Sequence, residues 1–89
     1  MKVYHVYTIY QEEPWTFYDT KIFKDLTDAR NYANELLHDL LATDYTPDPG
    51  FEDDVTYNGK DFDEDEFAKY LVDKDNNGAR IFIDEHELQ

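Results

Sequence analysis

The fold is decided by the stretch Lys2-Val3-Tyr4-His5-Val6-Tyr7-Thr8-Ile9-Tyr10, which is dense in β-branched and aromatic residues. Such residues favour an extended chain, so this stretch predicts a β-strand. A polar break follows at Gln11–Pro14, and a second strand is predicted from Trp15 to Phe23. Two strands joined by about four polar residues are typical of an antiparallel hairpin.

The side chains of the first predicted strand divide into two faces, because successive residues of a strand point to opposite sides. Neither face is polar, so we expect a helix to cover one of them and the other to remain half-exposed through its tyrosines. The two sets are Val3, Tyr7 and Ile9 on one face and Tyr4, Val6 and Tyr10 on the other.

A first helix is predicted over Asp28–Leu41, with Thr27 as its N-cap. Threonine is among the residues preferred at that position. The apolar residues behind it recur with a period of 3.6, which indicates one buried stripe. The stripe consists of Ala29, Ala33, Leu36, Leu37 and Leu40, while Asn31, Glu35 and His38 fall on the far side.

Residues 42–60 carry no sustained period. The two prolines of Thr46-Pro47-Asp48-Pro49-Gly50 predict a turn or an irregular loop. Val55–Tyr57 could form a short edge strand that ends at the turn-forming pair Asn58-Gly59. A segment of this length without regular structure is unusual in a small domain and is often functional.

A second helix is predicted from Asp63 to about Asp73. Asp63 as N-cap and Glu66 at the third helical position form a variant of the capping box, and a hydrophobic staple would join Phe62 to Phe67. The helix would bury Phe67, Leu71 and part of Tyr70, and it would end at Asn76-Asn77-Gly78. Ala79–Glu85 is then predicted to be a strand.

These elements predict a fold of the α+β class, in which an antiparallel sheet of three or four strands carries two helices in the order ββα-loop-αβ. The chain has 89 residues, which is the length of one small domain. We therefore expect a single domain over residues 1–89.

The composition argues against several classes of function. The chain contains no cysteine and no serine, so disulfides, thiolate metal sites and Ser or Cys nucleophiles are excluded. Three glycines form no phosphate-cradling loop, and a chain this short has little room for a deep cleft. We therefore predict that the protein is not an enzyme and needs no cofactor. No apolar run approaches a membrane span and no secretory signal is visible, so we expect a cytoplasmic protein.

The net charge is the most unusual property of the chain. Twenty-two acidic residues against eight basic ones give a net charge of −14 and a pI near 4.2. Residues 44–75 hold twelve acidic side chains against three lysines, a net −9. Direct binding to nucleic acid or to an anionic membrane is improbable, because both require clustered Lys and Arg. A globule about 30 Å across covers a length of duplex DNA that bears about 18 charges, which is of the same order.

Metal binding has one sequence signal. Asp73-Lys74-Asp75-Asn76-Asn77-Gly78 matches the opening of an EF-hand calcium loop. The second half departs from that motif, because Arg80 and Asp84 stand where an apolar residue and a glutamate are usual. An asparagine-rich turn has the same pattern without metal, so calcium binding stays open, and we predict no metal site. The three histidines, His5, His38 and His86, lack the spacing of a zinc site.

The chain resembles the small acidic phage-encoded inhibitors of the anti-CRISPR and antirestriction type. The resemblance rests on size, on the net charge and on acidic stretches such as Glu52-Asp53-Asp54 and Asp61-Phe62-Asp63-Glu64-Asp65-Glu66. Those families share no common motif, so it carries no residue across position by position. It implies a DNA mimic that occupies the DNA site of a CRISPR effector nuclease or a restriction enzyme in the cytoplasm of a bacterial host.

We therefore predict a non-enzymatic inhibitor that binds a nucleic-acid-binding protein through its acidic segment. Carboxylates would stand in for phosphates and meet Lys or Arg on the partner, and aromatic side chains would anchor the contact. The predicted partner-binding residues are Asp53, Asp54, Asp61, Asp63, Glu64, Asp65, Glu66, Asp73, Asp75, Tyr57 and Tyr70. The oligomeric state is left open.

An alternative prediction belongs to another class. The protein could be a phage or bacterial protein–protein adaptor, or a self-associating domain, whose acidic surface serves only solubility. Its interface would be an exposed aromatic sheet face that contains Tyr4, Val6, Tyr10, Trp15 and Tyr18. Salt separates the two predictions, because it screens a charged contact and strengthens a hydrophobic one.

Overall fold

The computed structural model describes residues 1–11, 13–47, 61–63, 66–75 and 77–88. The predicted strand Val55–Tyr57 and the predicted turns at Asp48–Gly50 and Asn58-Gly59 lie outside these ranges. In the part of the chain that is described, no helix is long and apolar enough to cross a membrane.

The fold is α+β, as the sequence predicts. One helix lies on one face of an antiparallel sheet whose strands follow the order β2-β1-β5-β4-β3. Four strands form the body of the sheet, and the fifth, β3, has two residues. The elements are β1 Lys2–Tyr10, β2 Glu13–Phe23, α1 Leu26–Leu41, β3 Thr46–Pro47, β4 Ala68–Val72 and β5 Gly78–Glu87.

Strand β1 forms as predicted and occupies a central position. It pairs with β2 in a hairpin and with β5 over nine residues, from Lys2 opposite Glu87 to Tyr10 opposite Ala79. Strand β2 begins at Glu13, two residues before the predicted start, and its pairing with β1 is interrupted by two irregularities in register. Asp19 lies beside one of them, at a φ of 55°. Such bulges increase the local twist of an edge strand.

Helix α1 confirms the predicted buried stripe, because the same five residues, Ala29, Ala33, Leu36, Leu37 and Leu40, are buried. They pack on Val6 of β1 and on Ile81 and Ile83 of β5. The predicted N-cap was wrong: the cap is Asp25, whose carboxylate accepts a hydrogen bond from the Thr27 N–H at 2.9 Å. Asp25 has the extended backbone typical of an N-cap, and the helix begins at Leu26.

The predicted second helix was wrong. Residues Ala68–Val72 form strand β4, in which Lys69 and Leu71 are buried and the residues between them are half-buried. This alternation has the period of a strand, and β4 pairs along its whole length with β5. The expected order ββα-loop-αβ is therefore ββαβββ. Pairing with the neighbouring strand outweighs the local helix signals, which are a weak preference in any sequence.

Two further predictions around β4 need correction. Thr46 and Pro47 were expected in a turn or irregular loop, but they form β3 opposite Val72 and Leu71. Proline is tolerated there because β3 is the edge strand. Phe67, which the second helix would have buried, is exposed, whereas Phe62 and Leu71 belong to the core.

Candidate functional site

The predicted partner-binding residues fall into two groups. Six of them lie in the described ranges, and the structure places them at four separate points of the fold: Asp61, Asp63, Glu66, Tyr70, Asp73 and Asp75. The other five, Asp53, Asp54, Tyr57, Glu64 and Asp65, lie outside the described residues.

Asp61 lies beside helix α1. Its carboxylate contacts the His38 ring at Nε2, and both side chains are exposed. The next residue, Phe62, is buried, and its N–H donates to the Asn34 side-chain oxygen at 2.7 Å. These two contacts hold residues 61 and 62 against the helix, so Asp61 takes part in positioning its own segment.

Glu66 is the counterion of a buried lysine. Its Oε2 lies 2.8 Å from the Lys69 ammonium, and the Lys69 side chain is only 2% exposed. Its other oxygen accepts the N–H of Asp63 at 2.9 Å, while the Glu66 N–H donates to the Asp63 carbonyl at 3.1 Å. The reciprocal contact of the predicted capping box therefore forms without a helix behind it. Because a buried charge requires a partner, Glu66 has a structural role.

Asp73 organises the turn between β4 and β5. Its Oδ1 accepts the N–H groups of Asp75 and Asn77 at 2.9 and 2.8 Å, and Oδ2 accepts the Asn77 amide at 3.3 Å. The hydrogen bond from the Asn77 backbone is the main cause that lowers the pKa of Asp73 below its usual value. The carboxylate thus binds its own loop, as in an Asx turn. Among the residues that the structure describes, no three His, Asp or Glu side chains are grouped as metal ligands.

Tyr70 lies on the sheet face opposite α1, where its ring meets Phe82 edge-on at 6.1 Å. It is therefore not beside the acidic residues at the start of β4. The structure brings Asp63 together with Glu66, and Asp73 together with Asp75, but it does not unite the described members of the predicted set in one patch. Asp75 is exposed at the tip of the β4–β5 turn.

The outer surface of α1 carries carboxylates that the sequence analysis did not include. Asp28, Glu35 and Asp39 are exposed. At 100° per residue they lie within about 40° of one another around the helix axis, and they span about 16 Å along it. We call these three residues the acidic stripe. The spacing of seven and then four residues is the signal in the sequence that could have found them.

A shallow cleft of about 260 Å³ lies between the acidic stripe and strand β2. Asp28 and Glu35 line it together with Tyr32, and the Lys21 ammonium lies 5.0 Å from the centre of the Tyr32 ring. Burial is the main cause that raises the pKa of Tyr32, and the nearby charges of Asp19 and Glu35 add to it. An aromatic ring flanked by carboxylates is an arrangement that attracts Arg and Lys side chains.

The sheet face opposite α1, which we call the open face, is aromatic. The Tyr7 ring lies 4.9 Å from Phe17 and 5.4 Å from Phe82. Its hydroxyl donates to Asp84 Oδ2 at 2.6 Å. Burial, followed by this hydrogen bond and the charge of Asp84, raises the pKa of Tyr7. Among the described elements only α1 packs on the sheet, and it packs on the other face.

The face chosen for the alternative adaptor was the wrong one. Val6 is fully buried under α1, and Tyr4 and Tyr10 pack against the same core. Trp15 is 91% exposed, and Tyr18 is half-buried against Tyr10. The register instead places two exposed residues of β2, Phe17 and Ile22, on the open face, opposite Ile9 and His5 of β1.

No protein-family model, curated protein or solved structure matches this chain, so its own residues carry every inference about function.

Proposed function

We propose that the protein is a non-enzymatic inhibitor that binds a nucleic-acid-binding protein and blocks its DNA site in the bacterial cytoplasm. The target class is a CRISPR effector nuclease or a restriction enzyme. The observation that carries the proposal is the density of charge. The chain carries 14 net negative charges over a longest dimension of 42 Å, or one per 3 Å. One strand of DNA carries a charge about every 3.4 Å.

The acidic stripe supports the proposal because it presents carboxylates on a rigid element. Asp39 lies in the last turn of α1. The helix dipole disfavours a negative charge at that end by about 0.3 to 1 kcal/mol. A residue that costs stability has no reason in folding to be there, whereas a contact with a basic partner would explain it.

The cleft beside the stripe offers a place for one cation of the partner. An arginine there could stack on Tyr32 while its guanidinium meets Asp28 or Glu35. Exposed pairs are individually weak, so affinity would come from several of them together. Asp63 and Asp75 are exposed and can add to the same field, as can the predicted carboxylates outside the described residues.

The test is a pull-down from a bacterial lysate that contains CRISPR effectors and restriction enzymes, with the captured proteins identified. Under the proposal a nucleic-acid-binding protein is captured, excess duplex DNA displaces it, and moderate salt releases it. A captured partner that is indifferent to both DNA and salt would contradict the proposal.

Matched variants locate the contact. The triple variant Asp28→Asn/Glu35→Gln/Asp39→Asn removes the acidic stripe, and we expect at least tenfold weaker binding to the captured partner. The control Asp44→Asn/Glu85→Gln/Glu87→Gln removes the same charge from exposed surface pairs elsewhere. Equal losses in the two variants would mean that net charge alone acts and that the stripe is not the site.

A second candidate function follows from the open face. Phe17 and Ile22 are 56% and 66% exposed there, which favours an adaptor that binds another protein through this sheet face. Such binding would persist or strengthen as salt rises, and Phe17→Glu would weaken it whereas the stripe variant would not.

A further inference from the structure

We propose that the open face is a self-association surface, on which a second copy of this chain packs face to face to form a symmetric dimer. This inference does not rest on the inhibitor function, because it uses the side of the sheet away from α1. Three properties of the face support it: its apolar surface, its charge and its area.

The apolar surface is continuous across the sheet. Phe17 and Ile22 project from β2, and the rings of Tyr7, Phe82 and Tyr70 continue the row across β1, β5 and β4. An exposed apolar patch of this kind usually marks an interaction site. Covering it would remove the exposed parts of Phe17 and Ile22 from water, which is favourable in proportion to their area.

The charge of the open face favours an identical copy over a basic partner. The register places a single cation, Arg80, and a single anion, Asp84, among the described residues of this face. The face is therefore neutral in a chain of net charge −14. Two copies repel each other in most orientations. With the neutral faces together, the two helices lie about 30 Å apart, more than three Debye lengths at physiological salt.

The two charges also make the face self-complementary. Arg80 and Asp84 lie two residues on either side of Phe82 on β5. In a two-fold dimer whose axis passes near Phe82, Arg80 of one copy therefore lies opposite Asp84 of the other. Each pair occurs twice, as an isologous interface requires.

The area is sufficient for a specific contact. Four strands spaced about 4.8 Å apart give a width of about 19 Å, and nine residues at about 3.3 Å each give a length of about 30 Å. Two such faces bury about 1,100 Å², above the value of about 1,000 Å² that a biological interface should reach. Aligned sheets pack in this way in β-sandwiches.

The first measurement is the mass of the full chain in solution, by sedimentation equilibrium across the micromolar to millimolar range at physiological salt. We expect twice the 10.7 kDa of one chain. Rising salt should strengthen the dimer, because it screens the repulsion between the two acidic copies. A monomer at every concentration, or a dimer that salt dissociates, would overturn the proposal.

A pair of matched variants tests the face. Phe17→Glu/Ile22→Glu should weaken dimerisation at least tenfold, and both sites are exposed, so circular dichroism should show an intact fold. Thr27→Glu/Asn31→Glu adds the same charge to exposed positions of α1 and should leave the dimer intact. A dimer that survives the first variant, or is lost in the second, would show that another surface is used.

The sign of one further substitution separates pairing from net charge. Asp84→Arg lowers the net negative charge, so repulsion alone predicts a tighter dimer. The proposed pairing predicts a weaker one, because two arginines then face each other, and it predicts recovery in Arg80→Asp/Asp84→Arg. A tighter dimer in the single variant would overturn the proposed alignment.

Discussion

Glu66 Oε2 lies 2.8 Å from the ammonium of Lys69, and this lysine belongs to the few largest side chains that are fully buried in the described structure. The ammonium also lies 5.7 Å from the centre of the Phe62 ring. A carboxylate from the most acidic part of the sequence is thus used inside the fold. Its charge neutralises a cation that would otherwise be buried beside the core.

We expect Glu66→Gln to lower the free energy of unfolding by about 1 to 3 kcal/mol, because it leaves a buried ammonium with a weaker partner. Urea unfolding measures the loss. The double variant Glu66→Gln/Lys69→Met should be less destabilised than the single one, because it removes both charges. In the control Glu85→Gln, which breaks an exposed pair with Lys2, the change should stay below about 0.5 kcal/mol.

The acid limb of stability should depend on Asp73. Its pKa is lowered in the folded state, so its ionised form stabilises the fold above the unfolded pKa of about 3.9. This contribution is lost as the pH falls below about 4 toward the lowered folded pKa. Unfolding measured between about pH 2 and 6 should show a shallower acid limb in Asp73→Asn than in the wild type. Asp75→Asn is the control, and an unchanged limb in Asp73→Asn would contradict the assignment.

Tyr7 should govern the alkaline limb. Its pKa is raised, so the protonated phenol stabilises the fold below the unfolded pKa of about 10, and this stability is lost as the pH rises above that value. In the phenolate absorbance titration, Tyr7→Phe should remove the last group to ionise. The same variant should lower the free energy of unfolding at neutral pH by about 1 kcal/mol, because Asp84 loses a donor.

The start of α1 provides a test of capping. Asp25→Ala should cost about 1 kcal/mol of unfolding free energy, because it leaves the Thr27 N–H without its acceptor. Thr27→Ala should change stability by less than about 0.5 kcal/mol, since alanine favours helices and the threonine is exposed. Thermal unfolding measures both variants. The reverse order would restore Thr27 as the cap.

Asp39 should separate stability from binding. We expect Asp39→Asn to raise the free energy of unfolding by a few tenths of a kcal/mol, because it removes a negative charge from the C-terminal turn of α1. Under the proposed function the same variant binds the captured partner more weakly. A variant that is more stable and binds equally well would mean that Asp39 is merely solvated.

The elements that the sequence predicted correctly are those in which local pattern and tertiary packing agree. Strand β1 and the buried stripe of α1 are examples, because one periodicity describes both their backbone and their burial. The segment after Asp61 failed for the opposite reason. Its capping contact between Asp63 and Glu66 does form, but β5 offers a continuous strand partner that no local rule takes into account.

The candidate site was less predictable than the fold. Counting charges located the acidic segment, but counting could not distinguish Glu66 and Asp73, which serve the fold, from carboxylates that face outward. That distinction depends on which donors lie nearby in space. The acidic stripe of α1 was overlooked because its three residues are spread over twelve positions that also contain Arg30, so the local charge density is low.

The pairing of β1 with β5 determines when the chain can fold. The two central neighbours of the sheet lie at opposite ends of the sequence, with Lys2 opposite Glu87. During synthesis, the β1–β2 hairpin and α1 therefore emerge from the ribosome without the strand that completes their core. The sheet closes only after β5 has been released, so removing the last ten residues should abolish the whole fold rather than fray one edge.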